Sequence, residues 1–358
     1  MEFHMYTEKK KSFLEQYDID MNVNFNSLNI ILLAHVQQPR GHINPCQLQC
    51  SQTERFSIEE FHEIYQGIVN AGFYIKSVFY NEFDFIEDYI QRPESYKNCL
   101  IYNLARNGLG YNKKTIIPSF CELMNLSYST SSSLSCAVCR NKYYFTTLLQ
   151  AHNIPTPKSW FLSEDLTLRS IPPTGTHVIC KPSSESASQG ITEDRIFIAS
   201  PEKFDQLTGE YIIQEYIDGI ECEVPVIKTR DKINVLDPIG IDLYGEKILN
   251  ERNSESNHYG FFKLSDHCSK ETLSAIKDHA EKAFRLLQMD VYGRVDFRID
   301  ANGTPYIFDI STTPYTTKHS SFAYAFEQMG LSYSDIYCTI IRSALIRHDL
   351  RVNQNDKN

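Results

Sequence analysis

A parallel α/β unit followed by two mixed α+β lobes is the architecture this sequence predicts. Three features of its 358 residues carry that prediction. The first third alternates strand-like and helix-like segments, which implies a parallel sheet covered by helices. Two prolines in Ile154-Pro155-Thr156-Pro157 end a helix and extend the chain, marking a boundary. Beyond that boundary the chain is richer in strands and closes on a hairpin of alternating residues.

Leu28 to Ala34 (LNIILLA) is an apolar run short enough for a buried strand. From Ile58 to Ala71, the residues Phe61, Ile64, Tyr65 and Ile68 share one helical face. Phe73 to Tyr80 and Cys99 to Leu104 read as strands, with a helical segment near Phe83 to Gln91 between them. A helix from about Leu134 to His152 precedes the proline pair. Past the prolines, Val178 to Lys181, Tyr211 to Ile217, Glu221 to Lys228, Tyr292 to Ile299 and Pro305 to Ile310 read as strands. Leu273, Ile276, Ala280, Ala283, Phe284 and Leu287 describe an amphipathic helix. From about Leu331 the chain reads as helix again, with Val352 to Asn358 as a frayed end. These boundaries give an N-terminal extension (1–27), an α/β domain (28–132), a central lobe (133–218), a C-terminal lobe (219–350) and a tail (351–358).

A formal charge of −10 and a pI near 5.6 argue against nucleic acid or an anionic membrane as partner. No run reaches the roughly 20 apolar residues needed to cross a bilayer, mean hydropathy is −0.36, and Met1 to Ser27 lacks the apolar core of a signal peptide. The ten cysteines therefore read as reduced thiols of a soluble, cytoplasmic protein.

Gly293 to Thr312 reads GRVDFRIDANGTPYIFDIST, with Asn302-Gly303 as a two-residue turn. Pairing outward from that turn sets Ile299 against Tyr306, Asp296 against Asp309 and Arg294 against Ser311. Alternation puts Arg294, Asp296, Arg298, Asp309 and Ser311 on one face, and Val295, Phe297, Phe308 and Ile310 on the other. Two facing carboxylates repel unless a cation lies between them, and oxygen ligands suit magnesium or calcium. A solvated face neutralised by Arg294 and Arg298 explains the segment equally well. His177 to Gly190 (HVICKPSSESASQG) is a strand ending in Lys181 and running into a loop of small residues whose amides can approach phosphate. Alone it also fits a flexible surface turn.

Taken in order, NIPTP after a helix carrying Lys142, VICKPSSESASQG, IIQEYIDGIE, YGRVDFRID and FDISTTPYTTKHSS resemble the ATP-grasp superfamily. Within it they resemble the D-alanine:D-alanine ligase family, from about Asn29 to Ala344. The resemblance implies an ATP-grasp fold, in which an N-terminal parallel α/β domain precedes two lobes that grip ATP. It implies an ADP-forming ligation of a small carboxylate to an amine, both amino-acid-like, through an acyl phosphate. ATP and one or two Mg2+ ions, or Mn2+, are the implied cofactors, and a homodimer is left open.

Residue by residue, the resemblance implies that Lys142 and Lys181 contact the nucleotide phosphates. Ser188, Gln214, Glu215, Ile217, Glu221 and Phe308 fall in the nucleotide pocket, Glu221 at the ribose and Gln214 near the adenine. Asp296, Asp309 and Ser311 match the metal ligands, Ser311 replacing the usual Asn. Arg294 matches the arginine that steadies the acyl phosphate and, with Glu54 and Lys181, forms the implied catalytic set. Glu54, in SQTERFSI, matches a glutamate holding the first substrate's amino group, but the same stretch reads as a helix start with Ser57 as cap and Glu60 as its partner. Arg106 stands where a histidine is common, and Lys247, Tyr315, His319 and Ser320 complete the substrate side.

Four departures bear on the substrates. The family's loop serine falls on Ala187 and its lid tyrosine on Ile248, and neither side chain can donate a hydrogen bond. Tyr315 replaces a glycine, and the 35–54 loop is long enough to remodel the first site. The expectation is therefore a pair other than two D-alanines. A true D-alanine:D-alanine ligase, an ATP-binding protein with impaired catalysis and a kinase are the alternatives. His35, His42, Cys46 and Cys50 match no common zinc spacing, the Cys136-x-x-Cys139 pair lacks a second pair, and Trp160 reads as core or rim.

Overall fold

The computed structural model describes residues 28–37, 54–107, 112–163, 170–230 and 232–355, together with positions 8, 11, 13 and 15. His42, Cys46, Cys50 and most of the 35–54 loop lie outside them. Strands β1 (Asn29–Ala34), β2 (Tyr74–Phe79), β3 (Cys99–Leu104) and β4 (Ser127–Tyr128) form a parallel sheet in the order β2-β1-β3-β4. The central β1 and β3 are buried on both faces, which is why each is predominantly apolar, Asn29 and Asn103 excepted. The helix Ile58–Asn70 starts on a capping box: the Ser57 hydroxyl accepts from the Glu60 amide at 3.1 Å, and the Glu60 carboxylate accepts from the Ser57 amide at 2.8 Å.

Strands β5 (Ser159–Leu162), β6 (His177–Pro182), β7 (Ile196–Ile198) and β8 (Tyr211–Glu215) form an antiparallel sheet ordered β5-β8-β6-β7. The helix expected from Leu134 to His152 is two helices, Ser133–Arg140 and Lys142–Ala151. Asn141 divides them: its backbone is extended and its side chain accepts from the Tyr144 amide at 3.0 Å. The Lys142 amide, freed from the first helix, donates to the Ser183 carbonyl just after β6 at 2.9 Å.

The third sheet comprises β9 (Ile220–Lys228), β10 (Ile233–Val235), β11 (Ile239–Asp242), β12 (Gly260–Lys263), β13 (Tyr292–Ile299) and β14 (Pro305–Ser311). Its order is β12-β11-β9-β13-β14, with β10 also on β9. The helix Lys270–Leu286 buries Ile276, Ala280, Ala283 and Phe284 against Val224, Val295 and Phe297. The opposite face of β9 and β13 is left for polar residues. The last helix, Tyr333–Asn355, returns to the N-terminal sheet through Ile336, Ile340 and Ile341, and its backbone runs on into the segment expected to fray.

The β13–β14 hairpin keeps part of the expected register. Arg294 pairs with Ser311 and Asp296 with Asp309, as the two-residue turn requires. Nearer the turn the pairing slips: Ile299 meets Pro305 rather than Tyr306, with the irregularity between Asp296 and Phe297. The turn is wider than two residues, because the Asp300 side chain accepts from the amides of Asn302 and Thr304 and the Asp300 amide donates to the Thr304 carbonyl. Phe308 is the extra residue of a bulge. It therefore joins Asp309 on the polar face instead of the apolar one. Among the described residues, no helix is long and apolar enough to cross a membrane, and the eight described cysteines are free.

Candidate active site

A cleft of about 460 Å³ opens where the ends of all three sheets converge. On one wall the buried Lys181 donates to Gln214 Oε1 at 3.1 Å and stands 4.4 Å from the centre of the Phe308 ring. Burial pushes its ammonium down to about 8, with Asp309 opposing and Lys142 adding to the shift. Lys142 donates to the Glu185 carbonyl at 2.7 Å and lies 3.4 Å from Asp309. Glu215, Ile217 and Ser188 also line this wall. Glu221 is buried 3.8 Å from Arg298, and burial pushes its carboxyl up. Arg298 in turn donates to the carbonyls of Gly219 and Lys247.

The polar face of the third sheet carries Asp296 beside Asp309 on one side and Glu223 on the other. Arg294 binds Asp296 through Nε and Nη2, both at 2.7 Å, and Glu223 at 2.9 Å. Burial pushes Asp296 well above the ordinary carboxylate range; Arg294 opposes this, and Glu223 and Asp309 reinforce it. Asp296 thus sits between two further carboxylates, and the donors on this face are oxygens, so it fits a hard cation such as magnesium. Among the described residues no three His, Cys, Asp or Glu side chains converge as a closed metal site. Asp296 and Asp309, with Ser311 on the same cleft wall, would have to be completed by phosphate oxygens and water, the usual arrangement for magnesium.

The N-terminal wall is organised around Glu54, which is fully buried one layer behind the cleft. Its Oε1 accepts from Arg140 at 2.8 Å and from Ser186 at 2.5 Å, and Lys113 lies 3.7 Å from its Oε2. Burial raises its pKa, but Arg140, Lys114, Ser186 and Lys113 together bring it down to about 2. Ala187 and Ser188 both have left-handed backbone, φ 53° and 55°, so the loop turns just after Ser186. That is why Ser186, one residue before the aligned position, presents its hydroxyl to Glu54. Arg106 lies over the rings of Phe56 and Tyr315, at 5.0 and 4.5 Å.

On the remaining side, His319 lines the cleft with its ring edge-on to Tyr259 at 4.7 Å. Besides Glu54, which lies behind the cleft, two more expected substrate residues are outside its lining. Ser320 is the N-cap of the helix Ser321–Gln328, its hydroxyl accepting from the Ala323 amide at 3.2 Å. The Lys247 side chain is exposed and outside the cleft lining, although its carbonyl accepts from Tyr216 and Arg298. Ile248 is buried, and the tyrosine of this region that reaches the cleft is Tyr259.

A family model described as the D-ala D-ala ligase C-terminus matches residues 151–342, more than half of the chain. The chain belongs to the D-alanine–D-alanine ligase family. It is thus an ATP-grasp enzyme, an ATP-dependent ligase of the carbon–nitrogen-bond-forming kind. It is 27% identical over 238 residues to the D-alanine–D-alanine ligase of Bordetella petrii, covering 65% of this chain and 73% of that one. It is 27% identical over 237 residues to D-alanine–D-alanine ligase B of Clostridium perfringens, covering 64% and 76%. The fold agrees: the D-alanine–D-alanine ligase of Bacillus anthracis complexed with ATP matches at a TM-score of 0.66 and 19% identity, over 90% of this chain and 99% of that one. In this member of the family, Glu223, Arg140, Glu185 and Lys114 are cleft residues that sequence reasoning missed. A signal for Glu223 was available, since Ile220-Glu221-Cys222-Glu223 alternates and so carries both carboxylates to one face.

Proposed function

We propose that this chain joins two D-alanines, the substrates named for its relatives, through an acyl phosphate formed with ATP. The observation that carries the reading is the meeting of Lys142, Lys181 and Arg294 with the facing carboxylates Asp296 and Asp309 in one cleft. Phosphoryl transfer asks for positioning and fixed charge more than for proton transfer. In this reading Lys142 and Lys181 hold the phosphates, while Gln214, Glu215, Ile217, Glu221 and Phe308 surround the nucleoside. Asp296 and Asp309 would hold one ion, with Ser311 a weaker ligand toward a second. Magnesium, when bound, offsets the phosphate charge. Arg294 steadies the acyl phosphate while the amine displaces inorganic phosphate, and His319 and Tyr315 border the amine. An enzyme that consumes ATP in this way works in the cytoplasm.

Missing hydroxyls were one reason to expect other substrates, beside Tyr315 and the long 35–54 loop. Ser186 on Glu54 and Tyr259 in the cleft weaken that reason, and the relatives' substrates are now the better supported pair. Incubation with ATP, magnesium and D-alanine tests this. One ADP and one phosphate should appear per D-alanyl-D-alanine. Release that depends on another amino acid would replace the substrate, and no release with any amino acid would overturn the reading.

A further inference from the structure

Most of the charge on the N-terminal wall of the cleft is balanced. Arg140 and Lys113 face Glu54 and Glu185: Arg140 lies 2.8 and 3.3 Å from them, Lys113 3.7 and 2.5 Å. Lys114 is the exception. It lines the cleft at 8% exposure, and its ammonium makes no hydrogen bond or ion pair with any described residue. Burying an ammonium without a partner is costly, and an anion entering the cleft would relieve that cost.

The backbone holds this lysine in place at some expense. Lys114 has φ 69°, a left-handed conformation costing a non-glycine residue about 1 kcal/mol or more. Its amide donates to the Asn107 carbonyl at 3.2 Å. Asn107 in turn donates to the buried Glu82 from its amide at 3.0 Å and from its side chain at 2.8 Å, and Glu82 meets His35 Nε2 at 3.0 Å. Burial, with Arg106 and Arg140 nearby, pushes the Lys114 ammonium well below the ordinary lysine range, and Glu54 only partly opposes this. The Cys139 thiol feels both Asp309 and Lys114. Lys114 lines the same cleft as Arg140, Ser186, Asp296 and Asp309.

We infer that Lys114 binds the carboxylate of the acid substrate and holds it toward Asp296 and Asp309 for phosphorylation. The inference deepens the ligase reading and rests on it for the identity of the anion. Wild type, Lys114→Met and Lys114→Arg are compared in two assays: ADP release, and calorimetric binding of D-alanine, L-alanine and D-aspartate with a non-hydrolysable ATP analogue present. Lys114→Met should raise the KM and Kd for the acid substrate about 10- to 100-fold, as loss of a charged hydrogen bond does, with ATP affinity unchanged and partial recovery in Lys114→Arg. Lys114→Gln replaces the Met variant if that one does not fold. Unchanged KM and Kd would overturn the inference while leaving the ligase reading intact. A loss confined to D-aspartate would also overturn it, because Lys114 would then serve a substrate side chain. If wild type turns over no amino acid, the ligase reading fails and binding decides: the inference stands if wild type binds one of these acids and Lys114→Met does not, and falls if neither does.

Discussion

Arg294 forks onto both oxygens of Asp296 at 2.7 Å and keeps a third contact to Glu223 at 2.9 Å. Asp296 is thus bound by an arginine on the face that would hold a cation, and Glu223 would retain the arginine were Asp296 to bind a metal. A lysine cannot reproduce the planar fork. Arg294→Lys should bind ATP as wild type does yet turn over on the order of 100- to 1,000-fold more slowly, the scale seen when a donor to developing charge is removed. Equilibrium ATP binding and phosphate release measure the two. A loss of affinity equal to the loss of rate would mean that Arg294 serves the nucleotide instead.

Asp309 faces Asp296, and from that pairing alone Asp309→Asn should relieve repulsion. The structure adds Lys142 at 3.4 Å, and Lys142 and Lys181 hold the Asp309 carboxyl below its ordinary range despite burial. Removing the carboxylate leaves two neighbouring lysines less compensated. Asp309→Asn should therefore cost about 1–2 kcal/mol of stability and abolish magnesium-dependent turnover. A raised Tm would show that the Asp296 repulsion outweighs the lysines.

Glu54 gives a pH signature that can be read without substrate. Its carboxyl titrates at about 2 in the fold against 4.5 ordinarily, so folding favours its charged form by roughly 3 kcal/mol. A depressed folded value means that the contribution is complete above about pH 4.5 and fades as pH falls toward 2. Glu54→Gln should accordingly lose stability at pH 7, and the gap to wild type should narrow in urea titrations below pH 4.5. A gap that does not change with pH would mean that shape rather than charge holds this wall.

The periodic parts of the fold were legible in the sequence, and the irregular ones were not. β3 is found as read because a buried parallel strand is predominantly apolar, Asn103 being the one amide side chain in it. The Asp296–Asp309 pairing could be counted outward from Asn302-Gly303, but two errors cancelled at that end of the hairpin. The turn holds one residue more than expected, and the bulge at Phe308 takes the register back. Side-chain capping by Asp300 has no period to betray it. The break at Asn141 was hidden for a related reason: apolar spacing continues across it, and only the Asn side chain, bonded to the Tyr144 amide, ends one helix and starts the next. Ser186 was missed because alignment by position cannot foresee two consecutive left-handed residues after it.

Gly219 joins β8 to β9 at the edge of the cleft, and its backbone conformation, φ 149°, is one that few residues other than glycine adopt. A Cβ there would lie 1.9 Å from the Ile299 carbonyl oxygen. That oxygen belongs to the backbone of β13, which pairs with β9 from Ile299↔Ile220 through Asp296↔Glu223. The clash cannot be relieved by turning a side chain. It must shift the strand that carries Arg294 and Asp296. Gly209, at φ 103°, has no atom within 4 Å of a built Cβ, so substitution there tests backbone strain alone. Gly209→Ala should cost about 1 kcal/mol, and Gly219→Ala about 3 kcal/mol, because overpacking adds to the strain. Only Gly219→Ala should also weaken magnesium-dependent turnover in the protein that remains folded. Equal costs in chemical denaturation would mean that β13 yields to the added methyl without disturbing its pairing to β9.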